Sequence, residues 1–464
     1  MPATEQTFCV IGLTLAVAAL LGCAGPRPES PAAAAITVPA QWLANHSNDE
    51  PGAADEWVRG FGDPMLARLI EAALANNIDI SVAAARVEEA RAQYDLSRAQ
   101  RGLYVAGGVA GVRERTINPA FGIPQEQTAG QAALSASYDL DLFERLSNAS
   151  AAARAALLAT EASKETVRIA VLTGVTEGYV TLRALDERLR ILNQTLAARE
   201  EEVRFTRRRA SVGYSPVIDL KQAEAAYRAA EQAIPAVTLL IARQEHALSI
   251  LLGDNPRTIE RGLELTDIHL PPRSSVLPSQ LLARRPDILQ AEQQIVAADR
   301  SLDAARAAFM PSIQLQASGG WVESTLLKDD PIGIFSLGGS VLAPIFDSGR
   351  LHAQQNLAAA RRDQAAFAYR KTVLTAFREV EDALTAIEQN ERQLRAVESQ
   401  RDEIARILEL AQKRYRAGYS PYIEQLDAQR NLLTAELAAV QARADLLISS
   451  VALYRSVGAG WRVP

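Results

Sequence analysis

Two heptapeptides, GYSPVID (Gly213–Asp219) and GYSPYIE (Gly418–Glu424), stand 418 − 213 = 205 residues apart in a chain of 464. The offset extends well beyond them. Val175, Leu182, Leu189, Leu192 and Val203 map by 205 onto Val380, Ile387, Leu394, Val397 and Leu408. Further upstream it becomes 208: Asp79, Ile80, Ala83, Ala90, Asp95, Arg98 and Ala99 map onto Asp287, Ile288, Ala291, Ala298, Asp303, Arg306 and Ala307. A period of roughly two hundred residues is too long for a solenoid repeat, so what is duplicated is a whole structural half.

Each half contains an unusually long helical tract. Ser147 to about Val212 has no proline and only Gly174 and Gly178, and Leu351–Ala417 has neither residue type. Leu182, Leu185, Leu189, Leu192, Leu196 and Val203 step along the first tract as a heptad seam. At the helical rise each tract is about 100 Å long, more than a globular core can use. Gly213 and Gly418 then stop each helix where a positive φ is wanted, and Ser-Pro restarts one. GYSP therefore reads as the tip of a helical hairpin, with return helices at Val217–Leu252 and Tyr422–Val457. Asp219 and Glu424 fall in the first turns of those return helices, where the helix dipole favours an acid whatever else it does. A further helix is expected from Asp63-Pro64 to about Gln100.

Between the helices the period changes to two. In SIQLQASGGW, Ile313, Leu315, Ala317, Gly319 and Trp321 share one side and Gln314, Gln316 and Ser318 the other. Each half thus predicts a strand hairpin, at 102–143 and 312–346, with Asn118-Pro119 and Asp329-Asp330-Pro331 in the connections.

The N-terminus carries an apolar run at 10–21, VIGLTLAVAALL, too short to span a bilayer and typical of a signal peptide over 1–22. Leu20-Leu21-Gly22-Cys23 resembles a bacterial lipobox, which makes Cys23 the candidate lipidated residue, with an ordinary secretory signal as the alternative. Residues 23–36 follow as a flexible Pro/Ala tether. The other cysteine, Cys9, lies inside the signal, so no disulfide is expected in a mature chain.

The net charge of −6 speaks against a nucleic-acid partner. His46, His246, His269 and His352 are scattered, and no HExxH, phosphate-binding loop or GxSxG elbow occurs. No enzyme activity, metal or cofactor is expected beyond the covalent lipid.

Taken together these residues resemble the TolC-like outer-membrane efflux proteins, in the lipoprotein branch (NodT/OprM-like) that serves tripartite pumps. The matching stretches are WVRGFGDPMLARLIEAAL (57–74), YDLDLFERL (138–146), RRPDILQAEQQIVAADRSLDAARAAFMPSIQL (284–315), PIFDSGRL (344–351), YRAGYSPYIEQLDAQRNLL (415–433) and the terminal GAGW. The resemblance implies a mainly α chain with a membrane β-barrel. Three chains would each give four strands to one 12-strand barrel, above a long coiled-coil α-barrel. Repeat 1 would occupy 63–253 (helical hairpin 147–252) and repeat 2 279–457 (helical hairpin 349–457). Residues 37–62, 254–278 and 458–464 would form an equatorial belt. The implied partners are a periplasmic adaptor, an inner-membrane RND transporter and outer-membrane lipid, and the implied work is passive export of small molecules.

The resemblance also places a periplasmic gate on Ile423, Glu424, Asp427 and Arg430, with Asp427 and Arg430 close enough on one helix to pair. It implies a latch from Tyr415 to Asp219; an arginine that some members use there is Ser420 here. A type I protein-secretion channel and a structural coiled-coil lipoprotein remain alternatives. A periplasmic adaptor would lack strand hairpins inside duplicated halves.

Overall fold

The computed structural model describes residues 27–29, 31–43, 57–118, 122–272, 277–326 and 331–459. The signal segment and Cys23 lie outside them, as do 44–56 and 460–464 of the expected belt. The helices are α1 (Pro64–Asn76), α2 (Ile78–Ala99), α3 (Arg145–Ser211), α4 (Val217–Leu251), α5 (Pro278–Arg284), α6 (Pro286–Ala307), α7 (Arg350–Arg416) and α8 (Tyr422–Ser456). The strands are β1 (Tyr104–Asn118), β2 (Ile123–Leu140), β3 (Ser312–Ser324) and β4 (Ile332–Leu342). The duplication holds element by element, and α3 and α7 are each 67 residues long.

Two compact units divide the chain: residues up to Ala35 with Arg86–Glu161 and Gln290–Arg370, and Ile36–Ala85 with Ala162–Leu289 and Lys371 onward. The first holds an antiparallel sheet in the order β1-β2-β3-β4. Its register carries the alternation across all four strands. Val105, Ala136, Ala317 and Leu337 form one row, and Gly107, Leu134, Gly319 and Phe335 the next but one. Rows between them bring Ser135, Ser318 and Ser336 together on the opposite side, with the last two hydroxyls 2.8 Å apart. One face of the sheet is therefore apolar and the other polar. The outer edges of β1 and β4 are unpaired.

The first unit also corrects the expected flexible tether. Arg362, only 2% exposed, donates to the carbonyl oxygens of Pro28 (2.5 Å) and Glu29 (2.6 Å). Arg27 meets Asp299 and Asp303 of α6, and Arg370 donates to Ala33 O. Residues 27–29 and 31–35 are a strap laid on α6 and α7. In the second unit Trp42 stacks edge-on against Phe377, and Leu43 N donates to Glu381.

The helix expected from 64 to about 100 is two helices. Asn77 breaks it by leaving the helical region (ψ 132°), accepting from Ile80 N and donating to Leu251 O. The second half breaks at the equivalent residue, 285 − 77 = 208 positions on. Arg285 precedes Pro286 and is held extended by it. Its guanidinium, buried in the second unit, binds Asp287, Glu379 and Ser456 O. Pro235, by contrast, sits inside α4 without ending it.

Candidate functional site: the paired hairpin tips

Each tip is built by the same backbone device. Gly213 and Gly418 have φ of +79° and +80°, a region costly for any residue with a Cβ. The next residue closes the helix end: Tyr214 N donates to Arg209 O at 2.8 Å and Tyr419 N to Arg414 O at 2.9 Å. Pro216 and Pro421, both extended, then open the return helices.

The start of α8 has two distinct faces. Tyr422, Gln425, Leu426 and Ala428 are buried, while Ile423, Glu424, Asp427 and Arg430 are exposed together on the other side. The four residues that the resemblance assigned to a gate thus share one open face. Asp427 and Arg430 do not form the expected ion pair; Asp427 instead accepts from Asn431 Nδ2 at 3.4 Å.

Tyr415 is buried at 4% exposure in a core with Val203, Ala223, Tyr422 and Leu426. Its ring lies 5.3 Å from that of Tyr422, and the Arg209 guanidinium stands 5.3 Å from its centroid. Among the described residues its hydroxyl has no hydrogen-bond partner, Asp219 included. Rings and a cation–π contact hold Tyr415 instead. Burial pushes the Asp219 carboxyl above its ordinary range, with the Arg209 charge pulling the other way. Ser420, where some members have arginine, is buried with its hydroxyl unpartnered.

Side-chain bonds cross between the hairpins from residues outside the two heptapeptides. Gln425 Nε2 donates to Glu202 Oε2 at 2.9 Å, and Arg199 donates to Gln429 Oε1. Burial pulls the Arg199 guanidinium down from its ordinary value and pushes the Tyr422 phenol up to about 12, so Tyr422 stays neutral. A signal for Arg199 was present. The heptad seam runs through Leu192 and Leu196 to Val203, and the step it skips is 199. A polar residue at a seam position costs stability and is kept for register or switching. Among the described residues no cluster of metal-ligating side chains occurs.

A sequence model described as "Outer membrane efflux protein" matches residues 69–254 and 277–459, one span per repeat. The chain is 35% identical over 468 aligned residues to the probable efflux pump outer membrane protein TtgC of Pseudomonas putida, covering 97% of this chain and 95% of that protein. It is 32% identical to the probable outer membrane lipoprotein SilC of Salmonella typhimurium, covering 95% of this chain and 96% of the other. The solved open state of the Neisseria gonorrhoeae MtrE outer membrane channel superposes with a TM-score of 0.83 at 28% identity, covering 94% of this chain and 98% of that one. The chain belongs to the outer membrane efflux protein family, the non-catalytic TolC-like channels that form the outer-membrane component of tripartite efflux systems.

Proposed function

We propose that three copies of this chain close one 12-strand barrel and act as a passive conduit across the outer membrane and periplasm. Drugs or toxic compounds would leave through it, driven by an RND-type inner-membrane transporter and coupled through a periplasmic adaptor. The observation that carries the reading is the sheet: one apolar face, one polar face and two long unpaired edges. Edges of that kind are tolerated in lipid only when the barrel closes on neighbours. The apolar rows suit lipid and the serine and glutamine rows suit a wet lumen.

Lipid on Cys23 belongs to the same reading. Arg27 is tied to Asp299 and Asp303 on α6, whose end at Ala307 leads into β3. Cys23 stands four residues before Arg27 in the sequence. Labelled palmitate should enter the wild type and not Cys23→Ser; label retained by the variant would remove the lipid.

The exposed face of Ile423, Glu424, Asp427 and Arg430 would narrow the far end. Around a threefold axis its acids would favour cations. Recording purified protein in planar bilayers tests conduit and gate together, with chemical cross-linking to count chains. A cation-selective pore that loses selectivity in Glu424→Ala/Asp427→Ala is expected. No pore from a folded trimer would end the reading, and unchanged selectivity would move the constriction elsewhere.

A further inference from the structure

Away from the hairpin tips, a cavity of about 330 Å³ opens between α3, α7, α8 and the segment after α4, all within the second unit. Ile191, Leu265, Ala439 and Val440 give it an apolar floor, each of them buried. Its charged walls carry three arginines and three glutamates. The volume is at the small end of ligand pockets.

The arginines are already engaged. Arg190 donates to both oxygens of Glu187, through Nε at 2.8 Å and through Nη2. Arg401 donates to Asp402 at 2.7 Å, and Arg443 Nη2 to Ile268 O at 2.7 Å. Arg443 Nε has no partner, but it is shut off from solvent and so from anything in the cavity. The acceptors stand differently. Among the described residues, the side chains of Glu398, Glu436 and Gln194 make no hydrogen bond, and neither carboxylate is in an ion pair. Burial pushes the Glu436 carboxyl above its ordinary range, although the Arg190 and Arg401 charges pull it down. The neighbouring arginines therefore do not compensate for the water it has lost.

We propose that this cavity binds a primary amine with a small apolar body. A primary ammonium has three N–H donors and no acceptor, and two carboxylates with an amide oxygen offer it three acceptors. Hydrogen bonds between opposite charges are the strong ones. The body would lie on Ile191, Leu265 and Val440, where burial of each methylene favours binding. A metal ion suits the cavity less well, because no cluster of metal-ligating side chains occurs among the described residues. An anion would meet two unpaired carboxylates.

The test is equilibrium binding of benzylamine to the purified, assembled full-length protein by calorimetry, with the shift of the thermal midpoint as a second readout. Two analogues share its body. Benzyl alcohol carries no charge, and benzyltrimethylammonium carries the charge without an N–H. Saturable binding of the amine is expected, with both analogues weaker by about tenfold or more, the scale of one charged hydrogen bond. Glu436→Gln and Glu398→Gln, both nearly isosteric, should each weaken the amine about tenfold and leave the alcohol unchanged. Equal binding of amine and alcohol would mean partition into apolar surface or detergent and would overturn the site. Wild-type affinity in either folded variant would overturn it too. If one variant fails to fold, the other and the analogue series on wild type decide. Binding is read without conductance: a chain that conducts but takes no amine loses only this site, and one that takes the amine but never conducts loses only the channel reading.

Discussion

The Tyr179 hydroxyl donates to the Asp63 carboxylate at 2.8 Å across 116 residues of sequence. The same carboxylate caps α1 through Met65 N (2.8 Å) and accepts from Leu263 N (3.0 Å), while Gly262 N donates to the tyrosine oxygen (2.8 Å). One acid thus joins the first helix, the long helix α3 and the segment after α4. Burial, and then the bond to Asp63, push the Tyr179 phenol well above its ordinary value, so it remains a donor at any physiological pH. Tyr179→Phe should cost about 1–3 kcal/mol, since it leaves a buried N–H and a carboxylate lone pair unmet. Gly262→Ala should cost more, because a Cβ there would stand 2.1 Å from Asp63 Oδ1. Thermal unfolding of the purified protein measures both. Midpoints equal to wild type would mean that this carboxylate is no joint.

The strap supplies a second prediction. Arg362 grips two backbone carbonyls at once, and the planar fork of its guanidinium is what allows it. Arg362→Ala should release the residues around Glu29, so a glutamate-specific protease should cleave there about tenfold faster, following the population of the open form. Arg362→Lys should release them partly. Cleavage at the wild-type rate in Arg362→Ala would show that Arg27 and Arg370 suffice.

Protonation at the tip gives the third. Burial pushes the Glu202 carboxyl above its ordinary value near 4.5, although Gln425, Arg416 and Arg199 pull it down. Tyr422, facing it from α8, stays neutral. When the tip opens, the carboxyl meets water and its pKa falls back. The closed form therefore binds the proton more tightly, and acidification favours closure. The gain begins as pH falls to the raised value and is complete below about 4.5. Asp219, also pushed up by burial, adds in the same direction. Resting conductance should fall as pH drops through that window, and Glu202→Gln should flatten the fall. Acidification that opens wild type and variant alike would assign control to other groups.

Much of this fold could be read from the chain, because the deciding residues act locally. Gly213, Gly418 and the Ser-Pro pairs fixed the tips, and the return helices end within a residue of where the pattern put them. Period-two alternation in β3 fixed which side of the whole sheet is apolar, since pairing copies the choice to each neighbour. What escaped depends on partners distant in sequence. Asn77 breaks a helix because Leu251 O is there to meet it. The strap is held by its backbone carbonyls, so PAAAA carries no pattern that could announce it. Arg199 stood in plain view as a gap in a leucine seam, but a gap does not name Gln429 as its partner.

The final prediction asks whether the apolar face meets lipid. Its rows on β3 run from Ile313 to Trp321, so Ala317 lies at the middle and Leu315 one row off. Each is flanked within its own row by residues of the same face, Leu315 by Tyr138 and Gly339, Ala317 by Ala136 and Leu337. A cation placed on a lipid-facing strand costs about 2–4 kcal/mol at the bilayer midplane and less toward the interfaces. Ala317→Arg should therefore be the most damaging, Leu315→Arg next, and Trp321→Arg milder. Gln316→Arg, one residue from either of the first two, points to the polar side with Ser137 and Gly338 and should be tolerated. Denaturant unfolding from lipid vesicles ranks the four. Equal cost on both faces would refute the register, and equal cost at every depth would mean that something other than a bilayer covers the apolar face.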